Sequence, residues 1–322
     1  MEQLSLAPTY ERSIKNHFSE IGLALLLAFC CQNGLALLLL AAIPALSPSL
    51  LEAQPWIMFA CSALPLFLVG IPLACAILRP LPKVQLPRQN ISAAQTLLLF
   101  CICCFFGITG TLVPLFLHTA MNLFLPLGEL FATPMSPLSS FVFLVLLMPV
   151  FEELFFRKFL IDRIAQYGQR PAVLLSGLLF GLFQGDLQQA LCAALLGFVF
   201  GFAYIKSGKL RHSILLHMFV NFFFWLLTML LMPLAGASDT ATAAMLLCFL
   251  VLLVCFVIGL IFFCIRFKKT WQSLQKATAP RFTQLAFNNL GMCFFLLLMG
   301  LAILLALLAP EWLPWAWGTM PQ

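Results

Sequence analysis

Apolar residues in this chain come in long unbroken runs, separated by short polar or proline-bearing breaks. Nine runs stand out, at about 20–45, 55–78, 94–123, 138–160, 171–185, 188–205, 212–234, 241–266 and 286–309. Most approach or exceed the roughly 20 residues that a helix needs to cross a bilayer core. Strands of a membrane barrel would alternate apolar and polar positions, and these runs do not. The pattern predicts an all-α, polytopic transmembrane helical bundle of about eight to nine spans. The fifth run, PAVLLSGLLFGLFQG, holds about 15 residues, or roughly 22 Å of helix, against a core of about 30 Å. GLLFG and GFVFG, on the fifth and sixth runs, carry small residues four apart, the spacing that lets helix backbones approach closely. The pair at about 171–205 is therefore expected to form a tight, re-entrant hairpin among longer neighbours.

Composition removes the soluble classes. The chain is 63% hydrophobic and 9% charged, with 34 Phe, and its mean hydropathy is +1.06. The first run follows a polar stretch and lacks a small-residue cleavage site, so it reads as a retained span. Charge then sets orientation. All 17 Lys and Arg fall in five groups: Arg12 and Lys15; Arg79, Lys83 and Arg88; Arg157, Lys158, Arg163 and Arg170; Lys206, Lys209 and Arg211; and Arg266, Lys268, Lys269, Lys276 and Arg281. Under alternating topology all five lie on one side, whereas Glu52, Glu129, Asp186, Asp239 and Glu311 lie on the other. This predicts a multi-pass protein of the cell membrane with its N-terminus and basic loops in the cytoplasm. The net charge of +6 is then a topology signal that favours the lipid bilayer, with no nucleic-acid partner implied.

The 12 cysteines sit mostly in apolar runs. FCICC places Cys101, Cys103 and Cys104 together, but no His and no second pair accompanies them, so they read as packing residues. Two loops are rich in proline, RPLPKVQLPRQN (79–90) and LPLGELFATPMSPL (125–138), and the second is expected to form an irregular or amphipathic outer segment. Polar residues inside apolar runs concentrate in one stretch. This divides the chain into N-terminal transmembrane helices (1–137), a functional core (138–234) and C-terminal transmembrane helices (235–322).

Within that core, PVFEELFFRKF holds Glu152, Glu153 and Arg157 at the end of an otherwise lipid-compatible helix. Each such group at depth costs on the order of 2.5–3.5 kcal/mol, so it is expected to face the bundle interior and find a partner. Glu153 and Arg157 are four apart and can pair on one helical face, while Glu152 points about 100° away. Gln184 ends the fifth run, with Asp186 just beyond. His217 and Asn221, again four apart, share a face of the seventh. Hydrogen bonding between helices would explain an isolated Asn or Gln. It does not call for two adjacent carboxylates, an imidazole and an amide together. A carboxylate can hold and deprotonate water, and an imidazole with an amide can donate to an oxyanion, so the set suits water attack on an amide or ester carbonyl. Ser176 and Ser213 are nucleophile candidates by position only. No cofactor is required by these residues. A divalent metal is compatible with Glu and His ligands, but a His-Glu-x-x-His helix is absent and one imidazole is on hand.

EELFFR (152–157), FGLFQ (180–184) and HMFVN (217–221) resemble the three motifs of the CPBP family of intramembrane proteases, related to the type II CAAX prenyl endopeptidase and also called Abi or CAAX proteases. GFVFGFAYIKSGKLRHSILLH is similar to the family's Gly-rich helix, its loop and the entry to the last motif. The resemblance covers roughly 140–230. It implies an intramembrane endopeptidase, metalloprotease-like in form, that acts on a peptide or protein substrate. Glu152 would polarise the attacking water, Glu153 and Arg157 would brace it, and His217 and Asn221 would stabilise the oxyanion. Gln184 stands where the family has histidine, and an amide can hold a water but cannot take up its proton near neutral pH. His118 and His212 do not replace it by position. The expectation is an endopeptidase with a cytoplasm-facing pocket. The alternative is a catalytically impaired pseudoprotease acting as a peptide-binding, bacteriocin-immunity or scaffold protein. A transporter is disfavoured by the absence of repeats and the clustering of polar groups. Substrate and oligomeric state are not legible.

Overall fold

The computed structural model describes residues 7–47, 54, 56–122, 137–234, 236, 238–279 and 281–308. Everything long in it is helix. α1 spans Ala7–Leu46. α2 runs through Trp56–Pro65, a π-helical turn at Leu66–Gly70, and Ile71–Leu78. α3 is Ala93–Asn122. α4 is the continuous helix Pro137–Tyr167, α5 is Gln169–Phe183 and α6 is Leu187–Ser207. α7 is Leu210–Leu234, α8 Asp239–Gln272, α9 Phe282–Phe287 and α10 Leu290–Leu308. No strand occurs among the described residues.

Eight of these helices are long and apolar enough to cross a bilayer, and the chain is a multi-pass membrane protein. Its outside is as apolar as its inside. Along α8, Leu246, Leu247, Leu250, Leu253 and Ile261 all stand more than half exposed, which is stable only against lipid. α5 is the short helix that its length predicted. α6, at 21 residues, is the longer arm of the expected hairpin and brings the chain back to the end of α4, since one loop meets both Asp162 and Ser207.

The glycines of α5 and α6 explain how closely those two helices pack. A Cβ on Gly177 would stand 2.1 Å from the Phe198 ring, and one on Gly181 would stand 2.4 Å from the Ala190 carbonyl oxygen. Around this hairpin, α3 packs on α6, α8 on α3, and α1 on both α2 and α10. α6 begins at Asp186, whose carboxylate accepts the Gln189 amide at 2.8 Å as an N-cap. It ends at Gly208 in the left-handed region (φ 60°), as helix C-termini favour.

The proline-rich loop after α2 is extended and tied down. Val84 N–H donates to the Asp162 carbonyl and Gln89 N–H to the Ser207 carbonyl, each at 2.7 Å. The second proline-rich loop, and Glu52, Glu129 and Glu311 of the acidic side, lie almost wholly outside the described residues. Asp186 is buried in the α5–α6 turn rather than displayed on a surface. All 12 cysteines are free thiols.

Candidate active site

α4 is not one uniform helix. π-helical stretches at Phe141–Leu147 and Leu154–Ile161 bracket a short α-helical stretch, Met148–Glu153. The two glutamates end that stretch, and Arg157 lies inside the second π segment. Such wide turns are common at functional sites and leave some carbonyls without intrahelical partners. The Leu144 carbonyl in the first π segment takes an outside donor, the Asn221 amide, at 2.8 Å.

Glu153 and Arg157 are both fully buried. Arg157 grips the carboxylate with two donors, Nε to Oε2 at 2.9 Å and Nη2 to Oε1 at 3.2 Å. Its Nη1 donates to Ser176 Oγ at 2.7 Å, and that hydroxyl donates on to the Phe156 carbonyl at 2.9 Å. The rings of Phe180 and Phe200 cover the guanidinium at 5.1 and 5.8 Å. Breaking such a pair would leave a charge in a medium that cannot solvate it, so full satisfaction is what permits it here.

His217 joins the two carboxylates. Its Nδ1 lies 3.1 Å from Glu153 Oε1, and its Nε2 lies 3.7 Å from Glu152 Oε2. Phe200 stacks on the imidazole at 4.6 Å and Phe180 stands edge-on at 5.9 Å. Glu153 is already an acceptor for Arg157, so Nδ1–H donates to its Oε1, and Nε2 is left facing Glu152. Glu152 keeps 8% exposure and holds no bond to the arginine. Gln184, at the C-cap of α5 and half-buried, approaches the Glu152 carboxylate as an amide donor.

All six candidate residues therefore belong to one neighbourhood on α4, α5 and α7, with two refinements. Asn221 is engaged by a backbone carbonyl, so one of its two N–H groups ties α7 to α4. Ser176 is a relay between Arg157 and the α4 backbone, and Ser213 donates to the Leu210 carbonyl within its own helix, so neither is placed as a nucleophile. Sequence reasoning missed the Phe180–Phe200 cover. Its signal was faint: Phe180 lies four residues before Gln184, and Phe200 is one of many phenylalanines in α6.

A metal does not fit this set. Arg157 and His217 occupy the Glu153 oxygens, and Glu153 occupies Nδ1, leaving Glu152 and His217 Nε2 as the free donors. A catalytic zinc takes three protein ligands. Among the described residues no group of three or more His, Cys, Asp or Glu is placed to hold an ion.

Fold and site together define a membrane-embedded helical bundle with a carboxylate–imidazole pair in its interior. Residues 134–223, 90 of 322, match the family model described as type II CAAX prenyl endopeptidase Rce1-like. The match takes in every residue of the site, and it agrees with the resemblance carried by the three motifs. This segment is thus similar to a family of CAAX-type membrane proteases. No curated protein and no solved structure matches the chain.

Proposed function

We propose that the protein is an intramembrane endopeptidase of the cell membrane that hydrolyses peptide bonds with a water activated by Glu152. The pocket opens towards the cytoplasm, the side that the basic loops indicate. In this reading Gln184 orients the water and Glu152 takes its proton. The water oxygen attacks the carbonyl carbon, and the carbonyl electron pair moves to oxygen. That oxyanion is met by the free N–H of Asn221 and by His217 when protonated at Nε2. The proton on Glu152 reaches the leaving nitrogen directly or by way of His217. The C–N bond breaks, giving a carboxylic acid and an amine. Arg157 holds Glu153 ionised, and Glu153 fixes the imidazole.

The observation that carries this reading is the 3.7 Å approach of His217 Nε2 to Glu152 Oε2. A base lacking the usual histidine on α5 has an imidazole beside it from α7. One observation favours a second reading. Gln184 cannot take up a proton, so a pseudoprotease that binds peptides without turnover would use the same pocket. A cleavage assay in reconstituted vesicles, with a panel of quenched fluorescent peptides, separates the two. Cleavage that Glu152→Ala abolishes and Gln184→His raises supports the enzyme. Binding without cleavage in the native chain, unchanged in both variants, supports the pseudoprotease.

A further inference from the structure

One side chain outside the three motifs touches both Arg157 and His217. Phe200 lies on α6, a helix that contributes no residue to the candidate set, and it is fully buried. Its ring stacks on the His217 imidazole, with centroids 4.6 Å apart and planes 24° from parallel. That spacing is typical of offset aromatic stacks. The same ring lies 5.8 Å from the Arg157 guanidinium carbon. α4 and α7 thus meet one aromatic ring supplied by a third helix.

Two glycines bring the ring there. A Cβ on Gly197 would stand 2.9 Å from Gly177 Cα, and one on Gly201 would stand 3.3 Å from Ile161 Cδ1. α6 therefore lies hard against α5 and α4 on either side of Phe200 in sequence. Leu216, the chain neighbour of His217, packs in the same buried cluster as Phe200.

The imidazole needs such a wall. Among the described residues its ring has one hydrogen-bond partner, Glu153 Oε1, at 3.1 Å from Nδ1. Nε2 stands 3.7 Å from Glu152 Oε2, beyond hydrogen-bond range. One hydrogen bond fixes one atom of a ring and leaves its plane free to swing about that contact, because the last torsion of histidine has broad wells. A swing carries Nε2 away from Glu152. Phe180 stands edge-on at 5.9 Å, so Phe200 is the flat contact that opposes the motion.

We propose that Phe200 is a positioning residue: its ring face holds the His217 imidazole in the plane that keeps Nε2 on Glu152. This rests on the reading that Glu152 and His217 act together, and it adds a residue of α6 to a site built on α4, α5 and α7. Phe200 touches neither the water nor the substrate in that reading and acts through His217. Losing its face lets the imidazole turn away, so turnover falls while substrate binding stays.

The test uses the full chain in detergent micelles with carbon-13-labelled histidine. The chain has four histidines, and His217→Asn identifies the His217 ring signals by their loss. In the native chain His217 should give one sharp set of ring signals. Phe200→Leu and Phe200→Met keep an apolar group without a flat face, and in each the set should split or broaden. Two substitutions guard against one that fails to fold. Phe295→Leu, at an equally buried position on α10, is the packing control and should leave the set sharp. In the peptide-cleavage assay both Phe200 variants should lower kcat by about tenfold or more with KM nearly unchanged, and Phe295→Leu should move neither. A single sharp set in a folded Phe200 variant overturns the proposal, as does an equal fall in kcat for Phe295→Leu. A native chain that binds peptides and cleaves none overturns the endopeptidase reading instead, and the ring signals then decide whether Phe200 positions His217.

Discussion

Two ion pairs on α4 share one spacing and differ in almost everything else. Glu153–Arg157 and Lys158–Asp162 are both four residues apart, and both bridge to a neighbouring helix. The first is sealed: each side chain is fully buried, the arginine binds two-fold, and Ser176 and His217 use the remaining valences. The second lies at the basic end of the helix. Asp162 is buried and accepts Lys158 Nζ at 2.7 Å and the Tyr204 hydroxyl at 2.8 Å, but the Lys158 side chain is 50% exposed. Lysine there keeps its hydration, whereas arginine in the interior must exchange water for fixed partners. Equal spacing in sequence thus yields a half-exposed peg in one case and the sealed frame of the proposed site in the other.

That contrast is breakable. The largest effect should fall on Glu152, which neither pair uses: Glu152→Gln should cut peptide cleavage by about 10²–10⁴. The thermal midpoint should stay nearly constant, and a large drop in it would show that Glu152 is structural after all. Next, Arg157→Met should cost about 3–5 kcal/mol, because it leaves Glu153 buried and unpaired. Measured by denaturant unfolding in micelles, the double variant Glu153→Gln/Arg157→Met should recover part of that loss. Gln184→His should raise the cleavage rate by about tenfold or more, since it adds a titratable group beside the water. The smallest change belongs to the outer pair. Lys158→Ala should cost at most about 1 kcal/mol and matter less at high salt. A cost as large as that of Arg157→Met would erase the distinction between the two pairs.

Much of this was legible in residues. The spans followed from run length. The close packing of α5 on α6 followed from Gly177, Gly181, Gly197 and Gly201, because absent side chains leave a visible spacing. The gathering of Glu153, Arg157 and His217 followed from the cost of polar groups in lipid. Other features were hidden because they depend on backbone phase rather than on residue type. Nothing in FVFLVLL announces a π-helical stretch, so the Leu144 carbonyl could not be foreseen as the acceptor for Asn221. The helical start of α1, residues 7–19, was also missed, since it lacks the apolar run on which the spans were read.

The widened turns of α4 also make the chain sensitive to length in a way that substitutions do not probe. A π segment holds one residue more than an α-helix needs, so deleting one rewinds it and swings the flanking parts by about 100°. Removing a residue from Phe141–Leu147 would rotate Ser140 off its bond to the Trp225 indole while sparing the glutamates. The same excision within Leu154–Ile161 would twist Glu152 and Glu153 away from Asp162 and its anchored loop. Two single-codon deletions a dozen positions apart would thus act as opposite turns of one screw.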